Sequence, residues 1–453
     1  MRAVVKRLQG TPVERGFLAA VPRVADAIAP CARQYRSLRR HGARSGSALV
    51  LTPADPGSLG DEAMLVVLTQ SLLGLGFDRI GYVSLRAGWS EIIGRGCATR
   101  AKLVSHALGS ALEYWQTPFR FLQLLANYSH LMVVGADVMD GAYSAANSCR
   151  RVEMAALGHR AGLQVRVLGF SFNAQPAESV LASLRRLPPE VRLMARDPVS
   201  AHRLEVQLAR PVGRVADIAF LLKPSLTSSS ASRASGWLQS ERGRGQVCLG
   251  VNANRLVAHP IDAEGPNALV TAISTALERL LTTRHDVSVL LLPHDLRGRV
   301  WDDEAMVRSI ASSLPPALKE RVRVLETPFG AADVKHLCGQ LDIVLTGRMH
   351  MAIAALGQNT PALGMAYQGK FEGLYELFGL QECRVDPNDA LNSALLAERL
   401  GVLIDRRDEY RQRIGERLPD VIQRARDNFA GMSISREEHG RSTGVARGPG
   451  ESS

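Results

Sequence analysis

Aromatic side chains are scarce in this 453-residue chain, at 5%, and no apolar run is long. Runs such as residues 131–134 and 289–292 are strand-sized, whereas a bilayer-spanning helix needs about 20 apolar residues. No membrane span is expected. No continuous apolar stretch near the N-terminus suggests a secretory signal. Cysteine is sparse too: six, at 31, 97, 149, 248, 338 and 383. No CxxC pair and no Cys/His cluster with zinc-finger spacing occurs, so small buried thiols are expected, with no metal site. HExxH, EF-hand and kinase signatures are missing. A GxSxG string at residues 440–444 has no strand before it, which excludes a nucleophile elbow.

Charge is present but uneven. The net charge is +11. Residues 1–45 hold ten Arg and Lys against Glu14 and Asp26, so that segment carries +8 of it. The body is near neutral, which disfavours a nucleic-acid binder with a basic folded face. Within 1–46, Phe17, Val21, Val24, Ile28, Tyr35 and Leu38 recur at helical spacing among the arginines. Pro22 and Pro30 argue against one unbroken helix. Three readings stay open: an arm docked on its own body, an arm on an anionic membrane surface, or a disordered start.

Hydrophobic residues make up 46% of the chain, enough for two or three domains. From residue 47, strand-sized apolar runs alternate with helical stretches. Strands are expected at 48–52, 79–85, 131–137, 164–172 and 191–196, with helices at 61–75, 143–161, 177–186 and 199–208. Residues 223–245 hold seven serines and little apolar content, which suggests a linker. Alternation then restarts, with strands at 246–252, 287–293, 322–326, 343–346 and 361–366. The expected organisation is an arm (1–46), an α/β domain (47–222), a linker (223–245) and a second α/β domain (246–390). C-terminal helices (391–432) and a disordered tail (433–453) follow. Such alternation implies parallel sheets covered by helices. Two doubly wound domains in tandem place a ligand cleft at the carboxyl ends of their strands.

Six strand-to-helix turns hold residues that can do chemistry. The first, residues 53–62, contains Gly57, Gly60, Asp61 and Glu62; the acids are either caps or ligands. The second, Gly135-Ala136-Asp137, is a plain turn or a grip for hydroxyls. The third delivers Arg196 with Asp197, and a guanidinium there can hold a carboxylate or phosphate. The fourth is Gly347-Arg348-Met349-His350, which opens a helix of small residues. Free N–H groups and Arg348 favour an anion there, and His350 can move a proton near neutral pH. The fifth contains Lys370, a second cation for a phosphate. It matches GxxxxGK by letter, but Phe371 replaces the magnesium-holding Ser or Thr. The sixth offers His294 as a polar wall. Asp302-Asp303-Glu304 stands at a helix start and is read as a cap.

From about residue 47 to 380 the sequence resembles the polysaccharide pyruvyl transferase family. The elements that carry the resemblance are Gly60-Asp61-Glu62, Gly135-Ala136-Asp137, Arg196-Asp197, Arg348-Met349-His350 and Tyr367-Gln368-Gly369-Lys370. The family's second turn is usually richer in glycine; here Ala136 interrupts it. The resemblance implies two Rossmann-like domains like those of GT-B glycosyltransferases, with a central cleft. It implies transfer of pyruvate from phosphoenolpyruvate onto two sugar hydroxyls, giving a ketal and phosphate. His350 would be the acid or base, Arg196, Arg348, Met349 and Lys370 would bind the donor, and Asp61, Glu62, Asp137 and His294 would face the acceptor or cleft. No cofactor or metal is expected. A sugar acceptor, lipid-linked if the arm touches membrane, and a cytoplasmic, membrane-peripheral location are expected. Two other functions stay open: a nucleotide-sugar glycosyltransferase and a non-catalytic scaffold in polysaccharide assembly.

Overall fold

A computed structural model describes residue 30 and residues 46–84, 88–96, 102–107, 117–258, 266–298, 302–366 and 369–432. Almost all of the basic arm, the C-terminal tail, and Tyr367 and Gln368 lie outside the described residues.

Seven strands form the first sheet: β1 (Ser47–Leu51), β2 (Arg79–Ser84), β3 (Lys102–Ala107), β4 (His130–Ala136), β5 (Gln164–Phe170), β6 (Arg192–Ala195) and β7 (Gly213–Arg214). Their order is β3-β2-β1-β4-β5-β6-β7, and every pairing is parallel. Six strands form the second: β8 (Val247–Asn252), β9 (Val287–Leu291), β10 (Val322–Val324), β11 (Ile343–Thr346), β12 (Ala362–Met365) and β13 (Arg384–Val385). Their order is β10-β9-β8-β11-β12-β13, again all parallel. In both sheets the first strand is internal and the order of strands reverses beside it, between β1 and β4 and between β8 and β11. Those are the switch points where doubly wound sheets bind ligands.

The central strands are apolar because helices cover both faces. All five residues of β9 and all four of β11 are buried. Two departures from the sequence reading have simple causes. The helix Trp89–Gly96 and β3 were not expected, because Lys102–Ala107 has too few apolar residues to show a pattern. The supposed linker contains the helix Ser229–Gly243, which packs on β8 and on the helix Ala331–Cys338. Ser228 caps it by accepting from Ala231 N. Its buried face is Ser230, Ala231, Ala234, Ser235, Leu238 and Glu241. Small residues let that face approach closely, and they hid its amphipathic pattern.

The two units are tied together. An antiparallel bridge joins Ser58 to Asp295, with Leu59 N donating to His294 O and Leu296 N donating to Gly57 O. Arg203 pairs with Glu372 at 2.8 Å. The last long helix, Arg407–Asp427, returns the chain to the first sheet. There Asn428 accepts from Gly169 N and donates to Ala216 O, and Arg166 donates to Asn428 O.

Candidate active site

The turns after β1, β4, β6, β8, β9, β11 and β12 all line one cavity of about 440 Å³. Eight of the nine residues singled out from the sequence line it: Asp61, Asp137, Arg196, His294, Arg348, Met349, His350 and Lys370. Glu62 does not. Its carboxylate accepts from Ala331 N at 2.8 Å, at the start of the helix Ala331–Cys338. One residue along a helix turns a side chain by about 100°, so adjacent acids face different ways. Glu62 ties the domains together instead.

Arg348 is the N-cap residue of the helix Met349–Leu356, which has no side-chain cap. Its backbone N–H donates to Thr346 Oγ1. Its guanidinium lies on Asp303, with a further contact to Asp295 at 3.3 Å. Asp303 is buried and also accepts from Asn252 Nδ2, His294 N and Asp295 N. The acidic string at 302–304 therefore has two jobs. Asp302 caps the helix Asp303–Ser313 by accepting from Ala305 N. Asp303 holds the arginine, which the sequence reading did not foresee.

Arg196 is almost fully buried. Nε donates to Ser171 Oγ at 2.8 Å, Nη1 to Asp217 Oδ2 at 2.7 Å, and Nη2 contacts Met349 Sδ at 3.6 Å. Asp217 also accepts from Ala219 N and lies 3.5 Å from His350 Nε2. Burial pushes the Asp217 carboxyl up, but His350 and Arg196 outweigh it and hold it well below the usual carboxylate range. Asp217 has no motif around it, and the sequence reading missed it.

Gly60 lies against the His350 ring: a Cβ there would sit 2.3 Å from Nδ1. Asp61 follows, buried beside the same ring. Burial raises its carboxyl pKa, against the pull of His350 and Arg297. The imidazole of His294 is pushed down to about 3, first by burial and then by His350 and Arg348. It is neutral at physiological pH.

Lys370 crosses the cleft. Its Nζ donates to Asp137 Oδ2 at 2.5 Å and to the Tyr143 hydroxyl, and lies 4.3 Å from the Tyr143 ring centre. Burial raises the Asp137 carboxyl, but Lys370 and Arg196 outweigh it and hold it well below its ordinary value. The preceding Ala136 stands at φ 46, a left-handed conformation that favours glycine. That is the backbone reason for glycine at this turn.

Arg150, Arg151, Arg255 and Arg297 also line the cavity and were not foreseen. Arg151 donates to Thr52 O and Pro53 O, so it shapes the first turn. Among the lining residues are seven Arg and Lys against five Asp. With an uncapped helix N-terminus beside them, the cavity suits a small, multiply charged anion.

The model of the polysaccharide pyruvyl transferase family matches residues 59–369, a span that holds eight of the nine residues singled out from the sequence, with Lys370 just beyond its end. The chain belongs to the polysaccharide pyruvyl transferase family. It is therefore a transferase enzyme. No curated protein matches the sequence. Solved structures are similar in fold. The UDP-GlcNAc 2-epimerase of Neisseria meningitidis bound to UDP-GlcNAc has a TM-score of 0.51 at 12% identity, over 84% of this chain and 97% of that one. The UDP-GlcNAc 2-epimerase of Methanocaldococcus jannaschii has a TM-score of 0.53 at 10% identity, over 79% and 92%. A ugt transferase of Siraitia grosvenorii in complex with UDP has a TM-score of 0.52 at 12% identity, over 86% and 97%. This pyruvyl transferase family member thus has the two-domain α/β, GT-B-like architecture expected from its sequence.

Proposed function

We propose that this transferase moves pyruvate from phosphoenolpyruvate onto two hydroxyls of a sugar in a polysaccharide or its precursor. The observation that carries this reading is Arg348, fixed at an uncapped helix N-terminus with His350 two residues on, in a cavity with an excess of cations. Phosphoenolpyruvate carries a phosphate and a carboxylate on a three-carbon frame. Arg348 and the helix N-terminus suit one of those anions; Lys370 suits the other.

The chemistry balances without a redox step. C3 of the enol gains a proton, and C2 becomes electrophilic. One sugar hydroxyl loses its proton and bonds to C2. The C2–O bond to phosphate then breaks, and the second hydroxyl, losing its proton, bonds to C2. One of the two hydroxyl protons replaces the one delivered to C3; the other leaves with phosphate. His350 serves one of these transfers, a contribution on the order of 10²–10⁴-fold. Asp61, whose carboxyl pKa burial raises, lies beside the same ring and suits another.

The test pairs binding with turnover. Phosphoenolpyruvate at about 100 times its Kd should stabilise the protein by about 2.7 kcal/mol, and Arg348→Ala should abolish that shift. With an acceptor sugar, ³¹P NMR should show phosphate released in step with a new ketal methyl signal. A shift with nucleotide sugars alone would favour the glycosyltransferase reading. Normal cellular function of Arg348→Ala and His350→Ala would favour a scaffold.

The basic arm is proposed to touch an anionic membrane surface, which would bring the enzyme to a lipid-linked acceptor. No helix among the described residues is long and apolar enough to cross a membrane. Deleting residues 1–45 should abolish co-sedimentation with anionic liposomes.

A further inference from the structure

The His350 ring is gripped on two sides. Its Nε2 is shielded from solvent, has no hydrogen-bond partner among the described residues, and lies 3.5 Å from Asp217 Oδ2. Its other edge meets Gly60, where even a methyl group would overlap Nδ1 and Cγ. Asp217 is itself fixed. It accepts from Ala219 N at 2.8 Å and from Arg196 Nη1 at 2.7 Å, and Arg196 is braced by Ser171. These groups come from the end of β6, the segment after β7 and the helix after β11, so they meet only when the two domains pack.

We infer that Asp217 is a positioning residue that holds the Nε2–H of His350, so that Nδ1 is the nitrogen presented to the reacting atoms. This deepens the proposed pyruvyl transfer and rests on it for its kinetic part. A neutral imidazole carries one N–H, and a carboxylate beside Nε2 selects the tautomer with that N–H. Nδ1 then has the free lone pair. Whichever proton transfer His350 serves, the proton is accepted or released at Nδ1. Other titratable groups near the ring are Asp61 on the helix after β1, Asp137 after β4 and His294 after β9. None of these has a contact with Nε2, and Asp217 is the carboxylate within ion-pair distance of it.

Two readouts test this on the full-length chain. The first is spectroscopic and needs no activity. With ¹⁵N-labelled histidine, the His350 signal is identified by its loss in His350→Gln. The wild-type ring should show Nε2–H with an unprotonated Nδ1, and Asp217→Asn should lower that population. An Nδ1–H ring, or one unchanged by Asp217→Asn, overturns the inference. The second is kinetic. Asp217→Asn should lower kcat by about 10²–10⁴-fold, with a smaller change in KM for phosphoenolpyruvate. In a His350→Gln background it should add little, because residues acting as a unit are non-additive. Additive losses overturn the positioning role. If Asp217→Asn does not fold, pairing it with Arg196→Met removes the unpaired buried charge and keeps the tautomer measurement. If the wild-type protein transfers no pyruvate, the functional proposal fails while the tautomer measurement still decides the role of Asp217.

Discussion

The guanidinium of Arg348 rests on the carboxylate of Asp303: Nε lies 3.1 Å from both oxygens and Nη2 lies 2.6 Å from one. The aspartate is buried at the start of its helix, and the arginine keeps a face toward the cavity. A two-point hold of this kind fixes the plane of the guanidinium as well as its position.

Removing one member of a buried pair costs about 3–5 kcal/mol, because the other is left uncompensated. Asp303→Ala should therefore lower the apparent Tm strongly. It should also weaken phosphoenolpyruvate binding, since Arg348 loses its orientation. Calorimetric unfolding and titration calorimetry on the same sample check both. Unchanged binding would mean that Arg348 is positioned by something else.

Gly60→Ala should damage catalysis far more than stability. The added methyl meets the His350 ring and must displace it. Overpacking costs about 1–3 kcal/mol, whereas misplacing a catalytic group by about 1 Å can cost 10²-fold in rate. The expected result is a folded protein with kcat down by about 10²-fold. A variant with normal kcat would separate the ring position from the chemistry.

His294 makes the fold acid-sensitive. Its imidazole is held at about 3, below the ordinary 6.5, so in between the unfolded chain binds a proton that the folded one refuses. Stability from this group is complete above pH 6.5 and falls as the pH drops toward 3. The slope is at most about 1.4 kcal/mol per pH unit. The depressed carboxyls of Asp137 and Asp217 add their losses only below their ordinary value of 3.8. Between pH 6 and pH 4 the loss from His294 is accompanied by that of His106, also lowered by burial, and opposed by carboxyls that burial raises, such as Asp61. His294→Gln should flatten the dependence of apparent Tm on pH there.

Lys370→Met keeps the length of the side chain and removes its charge. Asp137 then loses its 2.5 Å partner across the cleft. A charged hydrogen bond is worth about 1.5–3 kcal/mol, so KM for the substrate that Lys370 contacts should rise by about 10- to 100-fold. Steady-state kinetics with each substrate varied in turn shows which one that is.

The fold class and the strand-end turns that build the cavity are legible in the amino-acid sequence alone. Runs such as Val287–Leu291 and Ile343–Thr346 are apolar throughout because both faces of a parallel sheet are covered, and that is visible without coordinates. Asp61, Arg196, Arg348 and Lys370 stand at ends of such runs, so topology alone sends them to one side of each sheet. Tertiary structure decided the pairings. Asp217 and Asp303 lie 21 and 45 residues from the arginines they hold, with no periodicity to announce them. Glu62 follows Asp61 directly, yet it serves a neighbouring helix because adjacent helical positions point apart. The serine-rich helix Ser229–Gly243 escaped notice because close packing by small residues leaves no hydrophobic stripe. Local patterns report what each segment buries, whereas the partner of a buried charge is set by which distant turns the two sheets bring together.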